Sequence, residues 1–107
     1  MPRFKPAVVL ITAPNRTEAE NIGRALLKKR LAACVQYENI VSQYVWMGET
    51  CRDDEIRITV KSARSLFKKV AKTVRVRSSY DCPQILMLPV AGGSKDYLRW
   101  LKAQLAL

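Results

Sequence analysis

Hydrophobic positions along the chain change from strand spacing to helix spacing and back. Residues 7–13 form a continuous apolar run, which predicts a strand buried within a sheet. Asn15 with Glu18 three residues later is a capping pattern, and it predicts the start of a helix. This helix is expected to end near Arg30, and its apolar stripe is Ala19, Ile22, Leu26 and Leu27.

A long strand and a hairpin come next. Residues 31–47 are rich in Val, Ile, Tyr and Trp and predict a strand of about 16 residues. The polar pair Glu38 and Asn39 in its middle predicts a bulge or bend, and residues 48–50 are expected to form the turn. The returning strand alternates between apolar Ile56, Ile58 and Val60 and polar Arg57, Thr59 and Lys61. One of its faces is therefore expected on the core, and the other towards solvent or a partner.

Two helices and one strand complete the pattern. A second helix is predicted from about residue 64, with Phe67, Val70 and Val74 as its apolar stripe. Residues 78–83 are expected to form a loop and residues 84–88 the fourth strand. Ser94 is expected to cap a last helix. The residues of this helix that are predicted to face inward are Tyr97, Leu98, Leu101 and Leu105, with Trp100 beside them.

The predicted order is β-α-β-β-α-β with an additional C-terminal helix, which is an α+β, ferredoxin-like arrangement with an antiparallel sheet and helices on one face. No linker or internal repeat interrupts the chain, so residues 1–107 are expected to form a single domain. In this topology the second strand lies at a sheet edge. Because this strand is long, apolar and carries one charge, Glu38, we expect its unpaired backbone groups to pair with a neighbouring subunit in a closed oligomer.

The residue types exclude several classes of activity. The chain has no histidine, which removes the commonest general base and metal ligand together with the triads that depend on imidazole. Its three cysteines, Cys34, Cys51 and Cys82, are far apart and odd in number, unlike a secreted disulfide framework. No pair of residues has the pattern of a nucleophile and its base, so we expect a protein that is not an enzyme.

A strong positive charge accompanies this composition. The net charge is +10, and residues 61–77 carry seven lysines and arginines and no acidic residue. Such a balance attracts polyanions, but the helical spacing of these residues fits a solvated helix face, so nucleic acid is not an expected partner. No apolar run approaches the roughly 20 residues that cross a bilayer, and residues 1–6 lack a signal-peptide pattern. We therefore expect a cytoplasmic protein that does not enter the membrane.

Several short motifs, in their order and spacing, resemble the CutA divalent-cation tolerance family. They are residues 9–15, residues 31–35, Tyr44-x-Trp46-x-Gly48, Tyr80-x-x-Pro83-x-Ile85 and residues 96–101. The resemblance implies a ferredoxin-like fold, a homotrimer with sheets joined edge to edge, and a role in tolerance to divalent cations, notably copper. It also implies a cleft between subunits, which binds copper in some members.

The candidate ligand cleft that the resemblance implies consists of Trp46, Lys61, Tyr80, Pro83 and Gln84. One interpretation is a pocket for a small anion, because Lys61 and Arg77 supply positive charge. The other interpretation is structural: Trp46 fills the joint between subunits, and Pro83 sets the entry into the last strand. Both interpretations stay open from the residues themselves.

The chain departs from the copper ligands that the resemblance implies. Ile11 stands where those members have a cysteine, Arg77-Ser78-Ser79 where they have a histidine, and Gln84 where they have a glutamate. Isoleucine has no donor atom and arginine repels a cation, which argues against a copper site of that type. Cys34 and Cys82 are the remaining candidate ligands for copper or another divalent metal, and plain buried thiols are the favoured alternative for both.

A second function is compatible with the same fold. The predicted trimer is similar to PII-type regulators, which bind small anions in clefts between subunits. This alternative rests on fold analogy. It predicts that nucleotides or organic phosphates raise the thermal stability, whereas the metal-tolerance function does not.

Overall fold

The computed structural model describes residues 3–107, which form four strands and three α-helices. They are β1 (Pro6–Ala13), α1 (Arg16–Lys28), β2 (Cys34–Trp46), β3 (Glu49–Ala63), α2 (Phe67–Arg77), β4 (Ile85–Pro89) and α3 (Lys95–Gln104), with one 3-10 turn (Arg64–Leu66) before α2. The strands form one antiparallel sheet in the order β2-β3-β1-β4. This order confirms the predicted ferredoxin-like topology and places β2 at an edge.

The core lies between one face of the sheet and the helices α1 and α2. Its fully buried apolar residues include Val9, Ile11, Ile22, Leu26, Ile58, Val60, Val70 and Val74. Burial of one such side chain stabilises the fold by about 1.5–3 kcal/mol, so this layer of contacts holds the helices on the sheet. The predicted stripes of both helices are confirmed, except that Leu27 is exposed.

Helix α1 begins at the predicted cap. The Asn15 side chain accepts a hydrogen bond from the backbone N–H of Glu18 at 2.9 Å, which satisfies one of the free N–H groups of the first turn. The carboxylate of Glu18 accepts a hydrogen bond from the backbone N–H of Ser79 at 3.2 Å. The start of α1 is therefore tied to the loop that follows α2.

The ladder between β2 and β3 is continuous. Every residue of β2 has one partner on β3, so the predicted bulge at Glu38 and Asn39 is wrong. Glu38 lies opposite Arg57 and forms an ion pair with it at 2.9 Å, which explains how a charged residue fits in the ladder without disturbing it. β2 has 13 residues and is shorter than predicted, because residues 31–32 are buried in the core before the strand begins.

The hairpin turns at Met47 and Gly48, one residue earlier than predicted. Both residues have positive φ, 51° and 81°, as a two-residue type I′ turn requires. Residues 49–55 of β3 pair with β2 alone, because β1 pairs with residues 56–63. Residues 40–55 thus extend beyond the four-stranded part of the sheet and are called the hairpin arm below. The molecule is elongated and measures 47 × 26 × 22 Å.

The sheet face that points away from α1 and α2, hereafter the uncovered face, carries apolar residues. Val8 and Leu10 of β1 are half-buried there. Their partners on β4, Leu88 and Leu86, are exposed. Exposed apolar residues that lie side by side on one surface are typical of a contact with another protein. The predicted outward side of β3, with Thr59 and Lys61, belongs to this face, whereas its apolar part on β1 and β4 was not predicted from the sequence.

Helix α3 is anchored by its C-terminal half. Leu101 and Leu105 join the core as predicted, but Tyr97 is exposed, so the prediction that it faces inward is wrong. The Tyr97 ring instead lies beside β3, with Nζ of Lys61 at 5.8 Å from its centre, and its centre is 5.6 Å from that of Trp100. Within residues 3–107, no helix has the length and apolar content needed to cross a bilayer.

Candidate functional site

A cavity of about 670 Å³ lies on the uncovered face, where the hairpin arm meets the rest of the sheet. The strands and the 79–84 segment between α2 and β4 both contribute to it. Its polar and aromatic lining consists of Thr12, Ser42, Gln43, Tyr44, Trp46, Glu55, Ser79, Tyr80, Asp81, Cys82 and Gln84. Because directly paired residues of antiparallel strands share a face, the continuous ladder brings Ser42, Tyr44 and Glu55 to the same side of the sheet.

Two phenols of this cavity donate hydrogen bonds to carboxylates. The hydroxyl of Tyr80 donates to Oε2 of Glu55 at 2.7 Å, and the hydroxyl of Tyr44 donates to Oδ2 of Asp53. Burial and the hydrogen bond to Glu55 raise the pKa of Tyr80, while the hydrogen bond to Asp53 raises the pKa of Tyr44 to about 12. Both phenols are therefore protonated donors at neutral pH, and the first bond joins the 79–84 segment to β3.

The structure brings three of the five candidate cleft residues together. Trp46, Tyr80 and Gln84 line the cavity, and Pro83 is half-buried beside Gln84 without lining it. Lys61 does not reach the cavity within one chain: it lies opposite Val8, towards the other end of β3, beside Tyr97. Lys61 is near the C-terminal end of the 15-residue strand β3, whereas the cavity lies near the N-terminal part of that strand. The sequence pattern did not predict this separation along β3.

The charge of the cavity does not fit the first interpretation of the cleft, which was a pocket for a small anion. Its lining includes the carboxylates of Glu55 and Asp81 and no lysine or arginine. The two basic residues that the sequence offered for an anion lie elsewhere: Lys61 is beside Tyr97, and Arg77 faces a separate groove on the helical side. Within one protomer, the geometry thus does not favour an anion at this cavity.

The residues at the copper-ligand positions do not fit a copper site. Ile11 is fully buried in the core and offers no donor atom. Ser79 and Gln84 do line the cavity, but they supply a hydroxyl and a neutral amide in place of the imidazole and carboxylate that bind such metals better. Among residues 3–107, no three His, Cys, Asp or Glu side chains are grouped so as to hold a metal ion.

The two candidate thiol ligands lie at different ends of the sheet. Cys34 opens β2 opposite Lys61, at the level of Val8 of β1. Cys82 precedes β4, whose first residue lies opposite Ile11. All three cysteines are free thiols. One chain therefore does not bring Cys34 and Cys82 to a common metal ion.

The acidic residues of the cavity were not selected from the sequence. Consecutive residues of a strand point to opposite faces, so the run of three acidic residues at 53–55 is not expected to converge on one ion. The structure agrees that the three do not converge, yet Asp53 and Glu55 share one face and each carboxylate accepts a hydrogen bond from a tyrosine hydroxyl. Asp53 and Glu55 are two residues apart on one strand and therefore share a face. This spacing is the feature of the sequence from which the pair could have been predicted.

Comparison with known proteins shows strong similarity over nearly the whole chain. The family model described as CutA1 divalent ion tolerance protein matches residues 7–104. A divalent-cation tolerance protein CutA from Thermus thermophilus is 41% identical over 96 residues, which cover 89% of this chain and 93% of the relative. A chloroplastic protein CutA from Arabidopsis thaliana is 36% identical over 89% of this chain, which spans about half (53%) of that longer protein. The solved structure of a periplasmic divalent cation tolerance protein CutA from Archaeoglobus fulgidus has a TM-score of 0.90 at 35% identity, covering 92% of this chain and 97% of that one.

Proposed function

The chain belongs to the CutA1 divalent ion tolerance protein family, and we propose that it contributes to the tolerance of divalent cations, copper in particular, as a homotrimer and without catalysing a reaction. The observation that carries this proposal is the family match over residues 7–104, which spans every strand and helix except the first residue of β1. The names of the relatives describe tolerance and not catalysis. The hydrogen bonds that Asp53 and Glu55 accept from side chains at the cavity come from tyrosine hydroxyls and not from a serine or cysteine nucleophile.

The trimer is supported by two surfaces of the single chain. β2 is an edge strand, and its arm residues Val41, Val45 and Trp46 are exposed. The uncovered face exposes Leu86 and Leu88. An apolar edge and an apolar face that remain exposed in one chain are stabilised when copies of the chain pair along the edge and close into a ring.

In this trimer the cavity is a cleft at the joint between subunits. Val41 and Gln43 of the edge strand line it, so a neighbour paired with β2 would cover one of its walls. We assign Trp46, Tyr80, Pro83 and Gln84 to this cleft and expect Lys61 to reach it only from another subunit. The carboxylates of Glu55 and Asp81 favour a cationic or neutral occupant over an anion.

The proposal is tested by growth in copper. Cells that lack the gene for this chain should stop growing at a lower copper concentration than their parent, and expression of the intact chain should restore the parental limit. The same cultures are compared in zinc and manganese to measure how far the effect is specific to copper. Equal limits for the parent and the deletion strain in all three metals would refute the proposal.

A resident copper ion is not part of the proposal. Calorimetric titration of the tag-free protein with copper(II) is expected to give no stoichiometric binding, because Ile11, the segment Arg77-Ser78-Ser79 and Gln84 stand where the copper-binding members of the family have their donors. Stoichiometric binding by the unmodified chain, unchanged in Cys82→Ser, would show that other residues form a copper site.

We also propose that the chain acts in the cytoplasm. Its three cysteines are free thiols, as is usual in a reducing compartment, although two relatives are named chloroplastic and periplasmic. Fractionation of cells that express the chain from its own gene measures this directly. Recovery with the periplasmic or membrane fraction would contradict the proposal.

A further inference from the structure

A second concave surface lies on the helical side of the molecule, away from the cavity. It is a groove of about 460 Å³ between α2, the end of α1 and the residues after α3. Its apolar lining consists of Leu31, Val76 and Ala106. Four basic residues and a threonine form the rest of this lining, hereafter the basic groove: Lys29, Lys69, Lys72, Thr73 and Arg77.

The basic groove has no acidic residue in its lining. Among residues 3–107, the ion pairs are those of Arg57 with Glu38 and of Arg99 with Asp96, and neither lies in the groove. The positive charges of the groove are therefore not neutralised by the chain itself. Four cations around one cavity repel each other, so a bound anion would stabilise this arrangement.

Two of the four basic side chains are held in place by Thr73, which is 4% exposed. Nζ of Lys29 lies 3.5 Å from Oγ1 of Thr73 and donates to it, and Nη1 of Arg77 donates to the Thr73 carbonyl at 3.2 Å. The Thr73 hydroxyl donates in turn to the carbonyl of Lys69 at 2.9 Å. Lys29 and Arg77 each use one N–H group in their contact with Thr73. Their remaining N–H groups are available to a ligand.

The composition of the groove selects among anions. None of its lining residues is aromatic, whereas proteins that hold bases of single-stranded nucleic acids stack them on aromatic rings. Lysine and arginine are the residues that bind phosphate oxygens most strongly. From four cations in a single groove without a platform for bases, we infer that the basic groove binds an oligophosphate chain, either free or as the phosphate end of a nucleoside triphosphate.

The experiment is isothermal titration of the full chain with sodium tripolyphosphate at low salt and in the presence of EDTA. The wild-type protein should bind about one tripolyphosphate per groove, and K69Q/K72Q should bind about tenfold more weakly or worse. The matched control is K68Q/R75Q, which removes the same charge from the exposed side of the same helix, outside the groove. This control should change the affinity by less than about threefold. Circular dichroism checks that all variants are folded.

A second titration, with ATP, distinguishes the two sources of the phosphate chain. Binding of both ligands, with equal losses in K69Q/K72Q, supports recognition of the phosphates alone. Binding of ATP without tripolyphosphate would overturn the inference, because it would show that the base is required. Loss of ATP binding in Gln84→Ala but not in K69Q/K72Q would overturn it as well and would move the site to the cleft.

Three further results would also overturn the inference. Absence of heat from the wild-type protein with either ligand would show that the groove is not a site. Equal losses in K69Q/K72Q and K68Q/R75Q would indicate attraction by the net charge and not by a site. Tighter binding of single-stranded RNA than of tripolyphosphate, with equal losses in both double variants, would assign the surface to nucleic acid. The copper-growth test of the proposed function is independent of all these outcomes.

Discussion

At Gly23, α1 packs tightly against Tyr37 and Val35 of β2. A Cβ atom at this position would be 1.9 Å from the hydroxyl oxygen of Tyr37, 2.9 Å from its ring carbon Cζ and 3.1 Å from a methyl group of Val35. Glycine is otherwise unfavourable inside a helix by about 1 kcal/mol relative to alanine. The absent side chain is therefore required by packing.

Gly23→Ala is predicted to destabilise the protein by about 1–3 kcal/mol, because the cost of overpacking exceeds the gain in helix propensity. Urea unfolding measures the change. Removal of the hydroxyl in G23A/Y37F should recover part of the loss, since the nearest clash disappears while the ring carbon remains. A G23A variant as stable as the wild type would show that the Tyr37 ring can move aside.

Tyr80 makes stability dependent on pH at the alkaline end. The pKa of its phenol is raised above the ordinary value of 10.0 by burial and by the bond to Glu55. Below pH 10 the phenol is protonated in both states, so its contribution to stability is fully present. Above pH 10 the unfolded chain releases the proton before the folded chain does, and the free energy of unfolding falls with rising pH.

Tyr80→Phe is therefore predicted to lower the free energy of unfolding at pH 8 by about 1 kcal/mol and to make its fall above pH 10 shallower than in the wild type. Urea unfolding at a series of pH values measures both effects. Tyr97→Phe, which removes a hydroxyl from an exposed ring, should leave the stability at pH 8 unchanged. Parallel curves for Y80F and the wild type would contradict the assigned role of this hydrogen bond.

At the scale of elements, the hairpin arm depends on an unusual turn residue. Met47 has φ 51°, a conformation that costs an L-residue other than glycine roughly 1–2 kcal/mol and that asparagine tolerates better. Met47→Asn is predicted to raise the free energy of unfolding by about 0.5–1 kcal/mol, as measured by urea unfolding. Met47→Ala is the control, since it shortens the exposed side chain without relieving the backbone. A gain in M47A equal to that in M47N would exclude the backbone explanation.

The elements themselves were largely predictable, and the exceptions have a common cause. The alternation of residues 56–61 placed β3 and its core face correctly, because period-two burial is visible within one strand. The bulge at Glu38 was wrong because its neutralising partner, Arg57, is remote in sequence. The predictions that Lys61 lines the cleft within one chain and that Tyr97 faces the core failed for the same reason. These two residues contact each other, and they belong to elements that are far apart in sequence.

The residues of the site that belong to a sequence motif could be predicted. Those that reach the site only through the topology of the sheet could not. Trp46, Tyr80 and Gln84 were found through family motifs, and they line one cavity. Glu55 faces them only because β3 continues past β1 into the hairpin arm. The basic groove likewise joins Lys29 to α2 across 44 residues of sequence, so the charge of both helices was evident while their convergence was not.

At the scale of the whole molecule, the two sides of the protein have different chemistry. The helical side carries the basic groove and is charged, whereas the uncovered face and the hairpin arm expose leucine, valine and tryptophan. Association through the apolar side, as proposed, would leave the positive helices in solvent, where their mutual repulsion would oppose further association. The charge of the chain is thus compatible with a closed trimer that does not aggregate further.

This difference between the two sides permits a closely matched test of the trimer. Val45 of the hairpin arm and Val76 of α2 are 72% and 74% exposed in one chain, so a lysine at either position has nearly the same solvent access in the monomer. A lysine within the edge strand β2 opposes pairing with another chain, whereas a lysine on α2 adds one charge to a surface that already carries several. Val45→Lys is predicted to shift the protein from trimer to monomer in sedimentation at micromolar concentration. Val76→Lys should remain trimeric, and equal behaviour of the two variants would mean that the hairpin arm does not lie in the interface.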